Sequence, residues 1–204
     1  LSSFTTVSQI MATGLISFAL LAVPLFILSG QIMNSGGIAW RLIQFAKTLV
    51  GFLPGGLALI NIISAMLMGA ISGSAMASAS AMGSVLGPEM EKEGYSKDFG
   101  VAVNITSATT GLIIPPSNVL IVYSLASGGV SVGALFLAGY IPGILTGLLL
   151  MLVALFWSKK NKYKVGNRST LREIMASFFY AIPSLFLLII IIGGIISGIF
   201  TATE

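Results

Sequence analysis

The sequence contains no cysteine and no histidine, and aspartate occurs only once, at Asp98. The missing cysteine excludes disulfides, zinc–thiolate sites and thiol nucleophiles within these residues. The missing histidine excludes a Ser–His or Cys–His dyad and removes the commonest acid–base group of enzymes. We therefore expect that the protein is not an enzyme.

Charged residues are also scarce. They make up 8 % of the 204 residues, whereas soluble domains carry about 25 %. Hydrophobic residues make up 56 %. Because such a chain cannot cover a water-exposed surface, the composition predicts a multi-pass, all-α integral membrane protein in contact with the lipid bilayer. The net charge of +4 is too small to indicate nucleic-acid binding.

Long uncharged stretches give the order of the predicted spans. They cover residues 1–40, 48–88, 99–158 and 174–203. A spanning helix needs roughly 20 apolar residues. The first stretch therefore predicts one span, roughly 14–33, and the last predicts one that is kinked near Pro183. The third predicts two spans, over 99–126 and 132–158, separated by the turn Ser127–Ser131.

The basic segment 159–172 predicts the topology. Its positive charges are Lys159, Lys160, Lys162, Lys164, Arg168 and Arg172, and it contains no negative charge. Cytoplasmic loops are enriched in Lys and Arg, so we expect this loop to be cytoplasmic. A solvated loop on the other side is the alternative. Counting spans backwards places Glu89–Asp98 in the cytoplasm, and Arg41 and Lys47 also indicate the cytoplasmic side. Residues 48–88 are therefore expected to begin and end on the same side.

Residues 55–88 are too short for two crossings. The only break, at Ser72–Ser74, leaves roughly 17 residues before it and about 14 after it. We therefore predict a re-entrant helical hairpin that turns near the middle of the membrane, where irregular backbone must be buried in protein or line a cavity. Residues 38–54 are then predicted to form an amphipathic helix at the inner surface, with Arg41 and Lys47 facing water.

The tip of this hairpin, Ser72–Ser74, is the first segment that could carry chemistry. Free carbonyls before the turn suit a hard cation such as Na⁺, and free N–H groups after it suit an anion. Small residues surround the tip, including Gly69, so helix packing alone is the alternative reading.

The second such segment is Asn104–Asn118, in the middle of the span 99–126. Gly111 can end a helix, Pro115 and Pro116 lack N–H donors, and Pro116 can sit in the first turn of a new helix. The segment therefore predicts two half-helices joined by an extended stretch over Gly111–Ser117, with a simple proline kink as the alternative. Asn118 is a candidate cap of the second half-helix.

A broken helix combined with a re-entrant hairpin is typical of the binding site of a secondary transporter. The uncharged stretches offer no buried carboxylate for a proton relay, which favours Na⁺ coupling over H⁺ coupling.

Several motifs resemble one family, the large membrane subunit of tripartite ATP-independent periplasmic (TRAP) transporters, known as DctM-like proteins. They follow each other in order along the chain. The matching segments are Leu20–Gly30, Met33–Ile38, Val50–Leu57, Ile71–Ala75, Pro88–Tyr95, Gly111–Ser117, Leu135–Gly143 and Ser197–Glu204. The chain starts without Met and ends after an apolar run, so we expect roughly the first half of such a subunit, without its first helix and its second inverted repeat.

The resemblance implies the first inverted repeat of an elevator-type ion-transporter fold. Residues 55–126 would belong to the moving transport domain, residues 1–37 would form a scaffold-type span, and residues 173–204 would lead into the second repeat. The implied partners are a small membrane subunit and a periplasmic substrate-binding protein. The implied cargo is an organic anion such as a C4-dicarboxylate, sialic acid or another sugar acid, imported with Na⁺ across the cytoplasmic (inner) membrane of a bacterium or archaeon.

The site residues follow from the two segments and the resemblance together. For Na⁺ we expect Ser72, Gly73, Ser74, Gly111, Ile114 and Pro115. For the substrate we expect Ser74, Ala75, Thr110, Pro116, Ser117 and Asn118. Three alternatives stay open: a Na⁺-coupled anion transporter of the same broad fold without a binding protein, a non-transporting membrane scaffold and, least favoured by the missing histidine, an intramembrane enzyme.

The predicted cytoplasmic side of the basic segment can be tested with one cysteine, because the chain has none of its own. Asn161→Cys in the full-length protein, with any cysteine outside this chain removed, should resist a membrane-impermeant thiol reagent added to intact cells. It should react once the cells are permeabilised. Ready labelling in intact cells would invert the predicted topology.

Overall fold

The computed structural model describes residues 2–15, 20 and 22–200. In this part of the chain ten helices follow each other: α1 (Ser2–Leu15), α2 (Ala22–Ser35), α3 (Ile38–Val50), α4 (Gly56–Ser72), α5 (Ala75–Lys92), α6 (Lys97–Ala108), α7 (Thr110–Ile113), α8 (Asn118–Ala126), α9 (Val132–Lys160) and α10 (Leu171–Ile196). Apart from an isolated bridge between Pro54 and Val165, the described residues form no β-structure. The all-helical prediction is confirmed for them.

Two of the described helices are long and apolar enough to cross a membrane, judged by length and composition: α9 and the part Leu171–Ile195 of α10. The number rises to four if two bent pairs are each one span. These pairs are Ala22–Met33 with α3, bent by 70°, and Lys97–Ile113 with α8, bent by 49°. The predicted span 14–33 overlaps α1 and α2, and its residues 16–19 and 21 lie outside the described residues.

Helix α4 is the centre of the fold. It contacts α2, α3, α5, α6, α7, α9 and α10. Its side chains Leu59, Ile62, Met68 and Ile71 are each at most 1 % exposed. A helix that is apolar on all sides is buried either in a protein core or in lipid, and α4 is surrounded by other helices of the protein.

Helices α4 and α5 form a helical hairpin. The chain turns at Gly73, whose φ of 61° is left-handed, and its N–H donates to the Gly69 carbonyl over 2.8 Å. Helix α5 continues to Lys92, whereas the sequence analysis predicted an arm of about 14 residues. The helix continues past Pro88 because the Glu and Lys residues that follow are good helix formers. The arms of 17 and 18 residues are about 26 and 27 Å long, less than the roughly 30 Å of a hydrocarbon core.

The backbones of α4 and α7 touch at two glycines. A Cβ built on Gly69 would lie 2.2 Å from the Cα of Gly111, and one built on Gly111 would lie 2.7 Å from the Cα of Gly69.

Gly111 lies in the helical turn α7, whereas the sequence analysis placed it in the extended stretch. The extended stretch covers only residues 114–117.

Residues 161–168, which we call the strap, connect α9 to α10 and lie across the open end of the hairpin. The Tyr163 ring stacks on Tyr95 with centroids 4.2 Å apart, and its hydroxyl accepts the Ser96 N–H over 3.3 Å. Lys164 pairs with Glu93 at 3.4 Å. The strap is thus fixed to the end of α5 by stacking, a hydrogen bond and an ion pair.

The glycine contact between α4 and α7 predicts a large difference between two Gly→Ala substitutions. Gly69→Ala should lower the thermal unfolding midpoint and the yield of monodisperse full-length protein, because the added methyl meets backbone atoms and overpacking costs about 1–3 kcal/mol. Gly87→Ala is the matched control: it is also helical, and its Cβ would meet no atom within 4 Å. Equal midpoints for the two variants would contradict the contact.

Candidate functional site

The hairpin tip and the break between α7 and α8 lie against each other. The Asn118 N–H donates to the Gly73 carbonyl over 3.4 Å. A Cβ built on Gly73 would lie 2.8 Å from the Pro116 carbonyl oxygen. The structure therefore brings together the two groups of predicted site residues, those within 72–75 and those within 110–118. Glycine at position 73 permits both the left-handed turn and this close approach.

Several backbone carbonyls near this contact lack a hydrogen-bond donor within the described residues. The last carbonyls of α4, at Ala70, Ile71 and Ser72, accept no backbone hydrogen bond among the described residues. The carbonyl of Gly111 also lacks its helical donor, because the residue four positions later is Pro115. The Gly69–Gly111 contact holds these two helix ends side by side.

Two helix starts lie on the other side of the contact, and a serine caps each of them. The Ser74 hydroxyl accepts the Ala77 N–H, and the Ser117 hydroxyl accepts the Leu120 N–H, each over 3.3 Å. Helix α8 begins at Asn118, so Pro116 precedes the cap and does not lie in the first helical turn, and Ser117 takes the capping position proposed for Asn118. Each capping serine satisfies one N–H donor of its helix.

Three predicted hydroxyls, those of Ser72, Thr110 and Ser117, belong to fully buried residues with internal partners. Ser72 donates to the Ser74 carbonyl over 3.4 Å, and Thr110 donates to the Ser107 carbonyl over 2.6 Å. Ser117 donates to the Leu112 carbonyl, which Pro116 leaves without a helical donor. In this arrangement these hydroxyls stabilise the turn and the break.

The more open part of the site is formed by Ser74, Ala75 and Asn118, which are only partly buried. The Asn118 Oδ1 atom is buried and accepts no hydrogen bond within the described residues. Ile114, Pro115 and Pro116 are buried beneath these groups. An incoming ligand would meet the first three residues before the extended backbone.

Polar side chains next to the predicted site residues join helices in a way that the sequence analysis did not predict. The Ser107 hydroxyl donates to Asn61 Oδ1 over 3.3 Å and so joins α6 to α4. Asn104 Nδ2 donates to the Ala79 carbonyl over 2.9 Å and so joins α6 to α5. The sequence does contain a pattern that indicates such contacts: pairs of polar residues three positions apart in apolar helices, at 61 and 64 and at 104 and 107. These bonds fix the hairpin against the helix that leads to the break.

The site contains no Asp, Glu, Lys or Arg. Among the described residues no group of three His, Cys, Asp or Glu side chains could hold a metal ion. Ion pairs lie instead at the far end of the hairpin, between Lys47 and Glu89 at 3.8 Å and between Lys164 and Glu93. A cation at the hairpin tip would therefore be held by backbone and hydroxyl oxygens, which are the ligands that hard ions prefer.

Comparison with known proteins identifies the family. The family model of the DctM component of tripartite ATP-independent periplasmic transporters matches residues 2–204. An uncharacterized protein, YgiK, of Salmonella typhimurium is 58 % identical over 203 residues, which is 100 % of this chain and 47 % of the relative.

Two further relatives have functional names. The C4-dicarboxylate TRAP transporter large permease protein DctM of Pseudomonas aeruginosa is 45 % identical over 92 % of this chain and 44 % of its own length. The sialic acid TRAP transporter large permease protein SiaM of Vibrio cholerae is 43 % identical over 97 % of this chain and 46 % of its own length. The chain thus spans about half the length of these relatives, and it belongs to the DctM family of TRAP transporter large permease proteins.

Proposed function

We propose that this chain is part of the large membrane subunit of a Na⁺-coupled secondary transporter that imports an organic anion. The observation that carries the proposal is the convergence of two helix ends and two serine-capped helix starts at Gly73 and Pro116. Membership of the DctM family supports the transporter class. A small membrane subunit and a periplasmic substrate-binding protein would be its partners in the cytoplasmic (inner) membrane of a bacterium or archaeon.

The coupling Na⁺ would bind on the carbonyl side of the contact. Ser72, Gly73 and Ser74 supply oxygens from the hairpin, and Gly111, Ile114 and Pro115 supply carbonyls from the broken helix. Na⁺ prefers several oxygen ligands, and unwound helix ends offer them without a buried carboxylate. The carbonyls at the end of α4 and at Gly111 support this assignment because they lack helical donors.

The organic anion would bind at the two helix starts. Ser74, Ala75 and Asn118 would contact it directly, since they form the open part of the site. Thr110, Pro116 and Ser117 would lie beneath the bound anion and hold the break. One helix start contributes about 0.3–1 kcal/mol to anion binding at an exposed position and up to about 2 when partly buried. Two of them give the modest affinity that suits release of the cargo.

The transport motion would be that of an elevator. In this proposal residues 55–126 travel together, because α4 contacts α5, α6 and α7. Residues 1–37 and 173–204 would belong to the static scaffold, and residues 38–54 would be an arm helix at the inner surface. The packing of α3 against α10 supports the assignment of the arm helix and the last helix to one rigid unit.

Transport experiments separate this proposal from its rivals. Proteoliposomes that contain the full-length protein and its small subunit should accumulate radiolabelled substrate only with an inward Na⁺ gradient and added binding protein. Uptake that needs Na⁺ but no binding protein would favour a transporter of the same broad fold that works alone. If the assembled complex takes up none of the tested organic anions, a non-transporting scaffold would be favoured.

Asn118→Ala should raise the substrate concentration for half-maximal uptake several-fold, because it removes an amide from the open part of the site. Assembly with the small subunit should not change. Asn167→Ala is the matched control, since Asn167 lies exposed in the strap. If Asn118→Ala transports with an unchanged half-maximal concentration, Asn118 does not contact the substrate.

A further inference from the structure

The strongest concentration of like charge lies at the junction of α9 and α10. All six basic side chains between residues 159 and 172 are exposed. Lys159 and Lys160 form the last turn of α9, Lys162 and Lys164 lie in the strap, Arg168 closes the strap, and Arg172 lies in the first turn of α10.

The protein neutralises little of this charge itself. Lys164 pairs with Glu93. Lys164 also lines a cavity of about 380 Å³ under the strap, together with Lys47 and Glu89. Among the described residues, the other five basic side chains have no carboxylate within 4 Å. We call these five the basic patch: Lys159, Lys160, Lys162, Arg168 and Arg172. The nearby Glu173 carboxylate instead accepts the Thr170 N–H at 2.7 Å.

The basic patch is held in place, so its charges are presented together. The stacking of Tyr163 on Tyr95 fixes the strap in its middle. Gly166 packs so closely that an added Cβ would lie 2.3 Å from the Gly51 carbonyl oxygen. The Arg168 guanidinium lies 5.9 Å from the centre of the Phe52 ring. Binding of a ligand to the patch therefore costs less conformational entropy than binding to a flexible tail would.

The patch borders exposed apolar side chains on both neighbouring helices. Trp157 of α9 is 47 % exposed, and Leu171 and Met175 of α10 are 82 % and 53 % exposed. Both helices are candidate spans, so the patch lies where each of them leaves the membrane. Tryptophan and basic residues at that depth are typical of the headgroup region.

We propose that the basic patch binds the headgroups of anionic phospholipids. Five exposed cations beside an apolar rim match a phosphate diester that is attached to acyl chains. A nucleic acid or a soluble anion has no acyl chain to pack against Trp157, Leu171 and Met175, so these side chains would add no binding free energy. Each basic residue near an anionic membrane surface strengthens binding about fivefold. This proposal does not depend on transport or on Na⁺ coupling.

The test uses purified full-length protein in neutral detergent and the thermal unfolding midpoint as the readout. Phosphatidylglycerol should raise the midpoint, and phosphatidylcholine with the same acyl chains should raise it much less. In Lys160→Gln/Lys162→Gln the phosphatidylglycerol concentration for the half-maximal shift should rise roughly 25-fold, about fivefold for each lysine. Lys160→Arg/Lys162→Arg should keep the response. It also shows whether changes at these positions are tolerated.

Lys92→Gln/Lys97→Gln is the matched control, since both lysines are exposed in the neighbouring segment that carries the acidic residues. It removes the same charge and should leave the response to phosphatidylglycerol unchanged. Equal shifts with the two lipids would overturn the proposal. So would an unchanged response of the Lys160→Gln/Lys162→Gln variant or an equal loss in the control. Stabilisation by inorganic phosphate as strong as that by phosphatidylglycerol would show a free-anion site instead.

Discussion

The contact of Gly69 with Gly111 is the constraint on which the rest of the structure depends. With no side chain on either residue, the backbones of α4 and α7 approach until a single added methyl would overlap a Cα atom. This approach places the end of α4 beside the end of α7. The chain reverses at Gly73 and is extended at residues 114–117, and these two irregular segments contact each other at Gly73 and Pro116.

Irregular backbone buried among apolar helices needs internal partners, because an unpaired buried polar group costs about 1–3 kcal/mol. The serines supply many of these partners. Ser74 and Ser117 cap the helices that begin at the site, and Ser117 also donates to the carbonyl that Pro116 leaves without a donor. The remaining carbonyls, at the end of α4 and at Gly111, accept no backbone hydrogen bond in the described part of the chain. Their position next to each other is the physical basis for proposing a cation there.

Much of this arrangement could be predicted from sequence, because its signals are local. The missing charge indicated membrane helices, Ser72–Ser74 indicated the turn, and Pro115 with Pro116 indicated the break. The role of Gly111 was not predictable in this way: a glycine before two prolines suggests a helix end, and only the position of Gly69 on another helix shows that it is a packing residue. The strap was also beyond sequence reasoning, since Tyr163 and Tyr95 are far apart in the chain. The length of α5 was misjudged because the arm was counted only to the end of the uncharged stretch at residue 88, whereas the helix continues through charged residues to Lys92.

The distribution of charge gives the molecule two unlike ends. The hairpin tip has no charged side chain, and its polarity comes from backbone groups and hydroxyls that are neutral as a set. The open end of the hairpin carries the ion pairs of Lys47 with Glu89 and of Lys164 with Glu93. A charged side chain near the middle of a membrane costs free energy throughout the motion of the element that carries it. A site built from neutral dipoles has no net charge until an ion binds. If residues 55–126 move across the membrane as proposed, the absence of charge from the tip without ligand lowers the free-energy cost of that motion.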